Sequence, residues 1–133
     1  MKLSTKSEYA CLALIDLAEN YSKGLIKSDQ IASRKKLPKK FLDQILFILR
    51  NAGYIKSKRG IDGGYRLAKD PAEITLAEIL RLMDGPLAPV HSVSTYYYEK
   101  TPIEQNKKVW KILKDIRDYI ANKMEKTTLA DLI

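Results

Sequence analysis

Residues 28–67 carry the pattern that most constrains the fold of this chain. Ser28 is suited to cap a short helix, and Pro38 is suited to the first position of a longer one. Because only residues 35–37 separate the two, the chain has to turn sharply between them. Gly53 then offers a left-handed stop for the second helix. This succession predicts a helix-turn-helix.

A glycine-rich hairpin is predicted directly after this pair of helices. Residues 54–58 have the composition of a short strand, and residues 59–64 form a tight turn that contains Asp62 and Gly63. Residues 65–67 form the returning strand. The predicted fold class is therefore mainly α: a winged helix-turn-helix domain with a two-stranded β wing, followed by a long dimerisation helix.

The longer helix of the pair has two distinct faces. Its apolar face consists of Phe41, Leu42, Ile45, Leu46, Ile48 and Leu49. Its polar face consists of Lys40, Asp43, Gln44 and Asn51, and Phe47 falls between the two. If this helix enters the major groove of DNA, the Gln44 amide has the geometry to bind adenine. Lys40 can bind the acceptor atoms of guanine or a phosphate, and Asp43 can accept a hydrogen bond from the amino group of cytosine. A solvated helix face is the alternative interpretation.

Positive charge is concentrated in the same third of the chain. The net charge is +8, yet residues 23–69 alone contain 13 lysines and arginines against three aspartates. This segment therefore carries a balance of +10, and each flanking segment sums to −1. One explanation is a face that binds a polyanion, since each cation that contacts phosphate releases counterions. The other is that these charges only keep the protein soluble.

Several basic residues and glycines are candidates for contacts with DNA. Arg59 suits the narrow minor groove, where the negative potential is strongest, and Gly60 and Gly63 let the backbone approach closely. A flexible ammonium carries little sequence information. We therefore predict phosphate contacts for Lys6 and, around the turn, for Lys35, Lys36 and Lys39.

Capping boxes mark two further helices. Thr5 and Glu8 have capping-box spacing at the start of a nearly apolar first helix. Thr75 and Glu78 have the same spacing, and Gly85 follows as the stop of that helix.

A long C-terminal helix is predicted from start signals at Thr101 and Pro102. With about 24 residues it would extend roughly 36 Å, which is too long for so small a domain, so we expect it to pair with its copy. The predicted dimer seam consists of Val109, Leu113, Ile116 and Ile120. The chain is thus divided into a winged helix-turn-helix domain (1–85), an effector or sensor loop (86–101), a dimerisation helix (102–126) and a C-terminal short helix (127–133).

Composition excludes several classes of protein. A single cysteine, Cys11, rules out an internal disulfide and fits a reducing cytoplasm. No apolar run is long enough to span a bilayer, and the first residues carry no apolar signal core, so we expect a cytoplasmic protein without a membrane partner. One histidine and no nucleophile paired with a base argue against an enzyme.

Several stretches together resemble the Rrf2 family of bacterial transcription regulators. They are residues 3–6 with Tyr9, residues 41–46, residues 49–53, Arg59-Gly60 with residues 63–65, Ile74-Thr75 and residues 127–132. The resemblance covers nearly the whole chain and implies a dimer with crossed long helices. It also implies that the third helix enters the major groove and the wing arginine the minor groove. By position it puts Lys40, Asp43, Gln44 and Arg59 at the DNA-reading positions of the family.

The chain departs from the cluster-bearing members of that family. Those members place three cysteines in the segment that corresponds to residues 89–108, whereas this chain has none there, and Ser92 stands where the first ligand would be. We expect Cys11 to be a buried structural thiol, and His91 alone cannot build a metal site. The prediction is therefore no iron-sulfur cluster, no metal and no other cofactor.

The function expected is that of a sequence-specific regulator, a repressor, that reads a pseudo-palindromic operator in double-stranded DNA as a homodimer. Its signal would enter through the loop of residues 86–100 or through the dimerisation helix, from a small-molecule effector or a partner enzyme. Tyr96, Tyr97 and Tyr98 line a pocket there, stack on a partner, or simply cover the long helix. The alternative function is a winged-helix protein-protein interaction module that regulates a partner enzyme.

Overall fold

The computed structural model describes residues 2–133 and shows a mainly helical fold with one antiparallel sheet, as predicted. The elements are α1 (Thr5–Glu19), α2 (Ser28–Lys35), α3 (Lys39–Asn51), β1 (Ile55–Lys58), β2 (Gly64–Leu67), α4 (Leu76–Asp84) and α5 (Lys107–Lys126). Within residues 2–133, no helix combines the length and the apolarity that crossing a membrane requires.

Helix α1 lies at the centre of the fold and contacts α2, α3, α4 and β2. Its buried side is partly made of small residues, since Ala10 and Ala13 are fully buried, and these allow neighbouring helices to approach closely. Leu14 and Leu17 fill the space between those helices. The apolar face of α3 packs into the same core through Leu42, Ile45, Leu46 and Leu49.

Helix α1 begins at Thr5 as predicted, but its cap lies one residue earlier. The Ser4 hydroxyl accepts a hydrogen bond from the Ser7 amide at 3.1 Å, so the predicted Thr5–Glu8 capping box is wrong. Ser4 also binds the carboxylate of Asp84 at the end of α4, through its backbone N–H at 3.1 Å and through its hydroxyl. This tertiary contact ties the N-terminal arm to α4.

The boundaries of α2 and α3 differ from prediction by one residue. Ser28 is the first helical residue of α2, and Lys27 takes the cap position, where its backbone N–H donates to the Gln30 side chain at 3.2 Å. Pro38 is the cap of α3 rather than its first helical residue. Lys36 ends α2 in the left-handed conformation, with φ of 55°, and so makes the sharp turn.

The wing is a two-stranded ribbon that is also bound to the segment before α2. Strands β1 and β2 pair antiparallel along their whole length. Tyr65 of β2 forms an isolated bridge with Ile26, with hydrogen bonds of 2.7 and 2.8 Å between the two backbones. Because Ile26 lies just before α2, this bridge fixes the wing relative to the helix-turn-helix.

Helix α4 has the predicted caps, whereas α5 begins later than predicted. Thr75 and Glu78 form the capping box, and Gly85 stops α4 with φ of 84°. A 3₁₀ turn occupies Pro102–Gln105, and the α5 helix starts only after Asn106, whose side chain accepts from two amides of the first turn at 3.1 Å. The predicted start of the helix at residues 101–102 is therefore wrong, because Asn106 supplies the cap.

The predicted dimer seam on α5 is divided between two environments. Val109 and Ile116 are exposed, whereas Leu113 is half-buried. Ile120 packs within the monomer against a small cluster of α4 and the following loop. The exposed apolar stripe of α5 therefore consists of Val109, Ile112, Ile116 and Tyr119.

The C-terminal tail returns to the helix-turn-helix domain and pairs with the segment before α4. Leu76 N–H donates to Thr127 O at 2.8 Å, and Leu129 N–H donates to Ile74 O at 3.0 Å. Thr128 is the cap residue of a 3₁₀ turn, Leu129–Leu132, which places the Leu129 side chain in the main core.

Replacement of Leu129 with alanine is expected to lower the free energy of unfolding by about 2–5 kcal/mol, because the leucine is fully buried in the main core. Leu132→Ala, in the same turn but 40% exposed, is the matched control and should change it by less than about 0.5 kcal/mol. Chemical denaturation measures both. Equal effects would show that the tail does not dock as described.

Candidate nucleic-acid interface

Helix α3 presents one polar face to solvent. Lys40, Asp43, Gln44 and Phe47 are all exposed and follow the spacing of neighbours on one helical face. The leucines and isoleucine of the opposite face are buried, so the packing of α3 alone decides which residues face outward. The two predicted faces are confirmed except at Phe41. This residue was placed on the apolar face but is 45% exposed, because it lies at the edge of that face, where its ring packs edge-on against Tyr9 with the ring centres 6.0 Å apart.

Phe47 and Arg50 form part of this surface and were not assigned to it from the sequence. Phe47 is 55% exposed, and the Arg50 guanidinium carbon lies 5.5 Å from the centre of its ring, which is a cation–π contact. Arg50 Nη1 also donates to Ser57 Oγ at 3.4 Å and so joins α3 to β1. Phe47 lies three positions after Gln44, and this spacing could have placed it on the same helical face.

A concave surface lies between α3, the start of α2 and the wing, and we call it the wing recess. It encloses about 570 Å³, and its cationic lining residues are Lys27, Arg50, Lys58 and Arg59. Its acidic lining residues are Asp29 and Asp43. The recess therefore has a cationic excess and is open to solvent on the same side as the polar face of α3.

Two glycines make the wing possible through backbone geometry. A Cβ on Gly63 would lie 2.1 Å from Lys58 O, inside the hairpin. A Cβ on Gly64 would lie 2.7 Å from Ile26 O, across the bridge to the segment before α2. Gly63 is buried, so the structure gives it a role in closing the hairpin, whereas Gly60 is exposed near the tip.

Arg59 lies at the start of the wing turn and is exposed. The turn beside it contains Ile61, whose side chain is 91% exposed. Within residues 2–133, Arg59 has no salt bridge to a carboxylate. No ion pair within the protein therefore competes with an external partner for its guanidinium.

The four lysines predicted to contact phosphate lie in different surroundings, and Lys35 is paired with Glu19. Lys36 is exposed at the turn between α2 and α3. Lys6 is exposed in the first turn of α1, close enough to Asp84 to act on its pKa. Burial raises the pKa of Asp84, but the hydrogen bonds from Ser4 and the charge of Lys6 lower it by more. The pKa of Asp84 therefore lies below its ordinary value.

Lys39 is paired with acidic side chains. Its Nζ lies 3.2 Å from Asp43 Oδ2 and 3.6 Å from Asp29 Oδ1. The pKa of Lys39 is raised above its ordinary value, mainly by its hydrogen bond to Asp43. The phosphate contact predicted for Lys39 stays a prediction, and in the free protein this ammonium is shared between two carboxylates.

Part of the positive charge counted in the sequence is used within the protein. Arg34 forms a bidentate pair with the buried carboxylate of Asp16, at 2.8 and 2.9 Å, and so holds α2 against α1. Lys35 binds Glu19 at 2.7 Å. Sequence reasoning missed both pairs because their partners are 16 to 18 positions apart in the chain.

The predicted sensor loop is held by donors from α5. Trp110 Nε1 donates to Ser92 O at 3.3 Å, and Arg117 Nη1 donates to Val93 O at 2.7 Å. The Ser92 side chain is buried and forms a 2.6 Å hydrogen bond with Thr101. The loop is thus attached directly to the helix that carries the exposed apolar stripe.

The three tyrosines of this loop are all exposed. The Arg81 guanidinium carbon lies 4.8 Å from the centre of the Tyr96 ring, and the Tyr98 hydroxyl donates to Glu104 at 2.7 Å. These contacts hold the rings over α4 and the segment before α5. Whether they also line an effector pocket stays a hypothesis.

An exposed polar helix beside a cationic wing, on this fold, defines a winged helix-turn-helix transcription regulator. The chain belongs to the Rrf2 family, since the model of that family, described as "Iron-dependent Transcriptional regulator", matches residues 3–133. The family is one of transcriptional regulators, which confirms that the protein is not an enzyme.

Sequence and structure comparisons agree with this assignment. The chain is 36% identical to the HTH-type transcriptional regulator CymR of Bacillus subtilis over 132 residues, which cover 99% of this chain and 89% of CymR. The solved structure of CymR, titled as the global cysteine regulator of B. subtilis, matches with a TM-score of 0.80 over 99% of this chain and 95% of that one, at 35% identity. The structure of T. potens IscR matches with a TM-score of 0.76 at 32% identity, over 99% of this chain and 85% of that one.

The family description refers to iron, but the residues of this chain do not fit an iron-sulfur cluster. Cys11 is the sole cysteine, and burial, followed by the charge of Asp84, raises the pKa of its thiol to about 11, whereas a ligand has to be a thiolate. Within residues 2–133, no three His, Cys, Asp or Glu side chains are placed to hold a metal ion together.

Gly64→Ala is expected to lower the free energy of unfolding by about 1–3 kcal/mol, because φ is 148° and the added Cβ would meet the backbone of Ile26. Gly60→Ala is the control, since φ there is 105° but no atom lies within 4 Å of the added Cβ. Thermal or chemical unfolding should show the larger loss for Gly64→Ala. A loss at Gly60 of the same size would mean that backbone strain alone, and not the bridge to Ile26, limits this position.

Proposed function

We propose that this protein is a homodimeric repressor that binds a specific sequence of double-stranded DNA and operates without an iron-sulfur cluster. The observation that carries the proposal is the exposed polar face of α3 lying directly beside the cationic wing recess. A single monomer thus offers a helix to the major groove and a basic ribbon to the adjacent backbone and minor groove.

In this proposal the residues of α3 and the wing have separate roles. Gln44 and Asp43 read base edges, and Lys40 reads guanine or binds phosphate. Arg59 enters the minor groove, with Gly60 beside it at the exposed turn. The phosphate groups of the strand between the two grooves face the wing recess, where Lys27, Arg50 and Lys58 neutralise them.

Arg59→Ala is expected to weaken binding to the selected operator by about 1–3 kcal/mol and to change the protection pattern in the adjacent minor groove. Arg66→Ala is the matched control, since Arg66 is exposed on the same wing but does not line the recess. Fluorescence anisotropy and footprinting measure both. Unchanged affinity and footprint for Arg59→Ala would refute its role.

The alternative, a module that binds another protein, is tested in the same experiments with the wild-type protein. For DNA binding, the logarithm of the association constant should fall linearly with the logarithm of the salt concentration, with a slope of about 0.9 per phosphate neutralised. A protein-binding module would associate with DNA weakly and with little dependence on salt.

The exposed apolar stripe of α5 supports dimerisation. Ile112 and Tyr119 are exposed by 59% and 73%, which is unusual for large apolar side chains on a regular helix. Two copies of α5 that pack along this stripe would remove it from water and place two α3 helices on one duplex. A two-fold dimer of this kind reads a pseudo-palindrome with half-sites one or more helical turns apart.

Ile112→Glu is expected to shift the protein from dimer to monomer and to weaken operator binding, because it places a charge in the proposed interface. Lys114→Glu is the control, since residue 114 lies about 200° around the helix from residue 112. Sedimentation velocity gives the mass of each variant, and circular dichroism verifies its fold. A dimer that persists in Ile112→Glu would place the interface elsewhere.

The signal that controls binding is proposed to enter through residues 86–101. This loop is attached to α5 by Trp110 and Arg117, so a small-molecule effector or a partner enzyme that moves the loop acts on the helix of the proposed interface. The donor set of this chain supports a signal of that kind rather than one sensed by a cluster.

A further inference from the structure

Lys39 occupies a special position between the two helices of the helix-turn-helix. It is the first residue of α3, and its ammonium is shared by Asp43, one turn along α3, and Asp29, in the first turn of α2. The distance to Asp43 is the shorter of the two, 3.2 Å against 3.6 Å. One cation is therefore positioned by α2 and aimed at the acidic residue on the outward face of α3.

This pair contributes little to the stability of the fold. All three side chains are substantially exposed: 49% for Lys39, 45% for Asp43 and 75% for Asp29. Exposed ion pairs are weak, and a lysine that precedes the acidic residue by four positions is in the less favourable order for a helix. The significance of Lys39 therefore lies in the charge and placement of Asp43.

An aspartate at this position is costly near DNA unless it is neutralised and directed at a donor. Phosphates repel its carboxylate, and a carboxylate that faces the major groove can accept hydrogen bonds only from amino groups, of which cytosine N4 is its usual partner. The neighbouring Lys40 differs from Lys39, because within residues 2–133 no carboxylate forms a salt bridge with it. Lys40 is thus available to DNA, whereas Lys39 is engaged by Asp43.

We propose that Lys39 is a positioning residue that determines sequence specificity: it offsets the charge of Asp43 and holds the Asp43 carboxylate toward the base edges, instead of binding phosphate. This inference rests on the proposed function, in which α3 enters the major groove. Lys39 then acts on the base pair that Asp43 faces, without contacting that base pair itself.

The experiment compares four proteins: wild type, Lys39→Met, Asp43→Asn and the double variant. A duplex is first selected from a randomised pool with the wild-type protein, and affinities are measured for it and for each single base-pair change. Lys39→Met is expected to alter relative affinity by at least about fivefold at the base pair that Asp43 faces and little elsewhere. In the Asp43→Asn background the same substitution should have no further effect on the preference.

The dependence of affinity on salt separates positioning from phosphate contact. Lys39→Met should leave the salt slope nearly unchanged, whereas Lys58→Met, on the wing recess, should weaken all sequences alike and reduce the slope by about 1. Circular dichroism should show a native fold for each variant, and Lys39→Gln provides a second, polar replacement with the same expected pattern.

Two results would overturn the inference, and they differ. A uniform loss of affinity across sequences, with the slope reduced by about 1 in both backgrounds, would identify Lys39 as a phosphate contact and leave the proposed function intact. Binding by the wild-type protein that shows neither sequence preference nor steep salt dependence would refute the proposed function as well.

Discussion

The close packing of helices around α1 is the constraint on which the rest of the structure depends. Alanines at its buried side let α2, α3 and α4 approach, and the bidentate pair between Asp16 and Arg34 fixes α2 at its edge. Since α3 is held in this core by one apolar face, its polar face has a single possible direction. The DNA-reading surface that we propose is thus a by-product of how the core is filled.

The wing is positioned mainly by its backbone. The bridge between Ile26 and Tyr65 and the close approaches at Gly63 and Gly64 fix the ribbon against the start of α2. The side chains of the exposed turn take no part in those contacts, so residues such as Arg59 are left to interact with a ligand. Rigid backbone and unconstrained side chains coexist here because hydrogen bonds and glycine geometry do the positioning.

Local signals in the sequence predicted most of the fold, and the errors at the helix starts came from choosing the wrong cap among neighbouring candidates. The Thr75–Glu78 capping box and the two faces of α3 depend on residues three to four positions apart, and both were correct apart from the exposed Phe41. The contact of Ser4 with Asp84, 80 positions away, could not be predicted from local spacing. The candidate interface shows the same limit. The residue type alone suggested a phosphate contact for Lys39, but its neighbour Asp29 belongs to another helix, and helical spacing cannot predict that contact.

The return of the C-terminal tail to the segment before α4 has a mechanical consequence. Helix α5 is attached to the loop near its start through Trp110 and at its middle through Arg117, and the residues just after its end, Thr127 and Leu129, attach it to the helix-turn-helix domain. A helix anchored in this way cannot move independently of the rest of the monomer. In the proposed dimer, a signal at the loop would therefore rotate each monomer as one body. The distance between the two α3 helices would change, while the shape of each helix-turn-helix domain would stay the same.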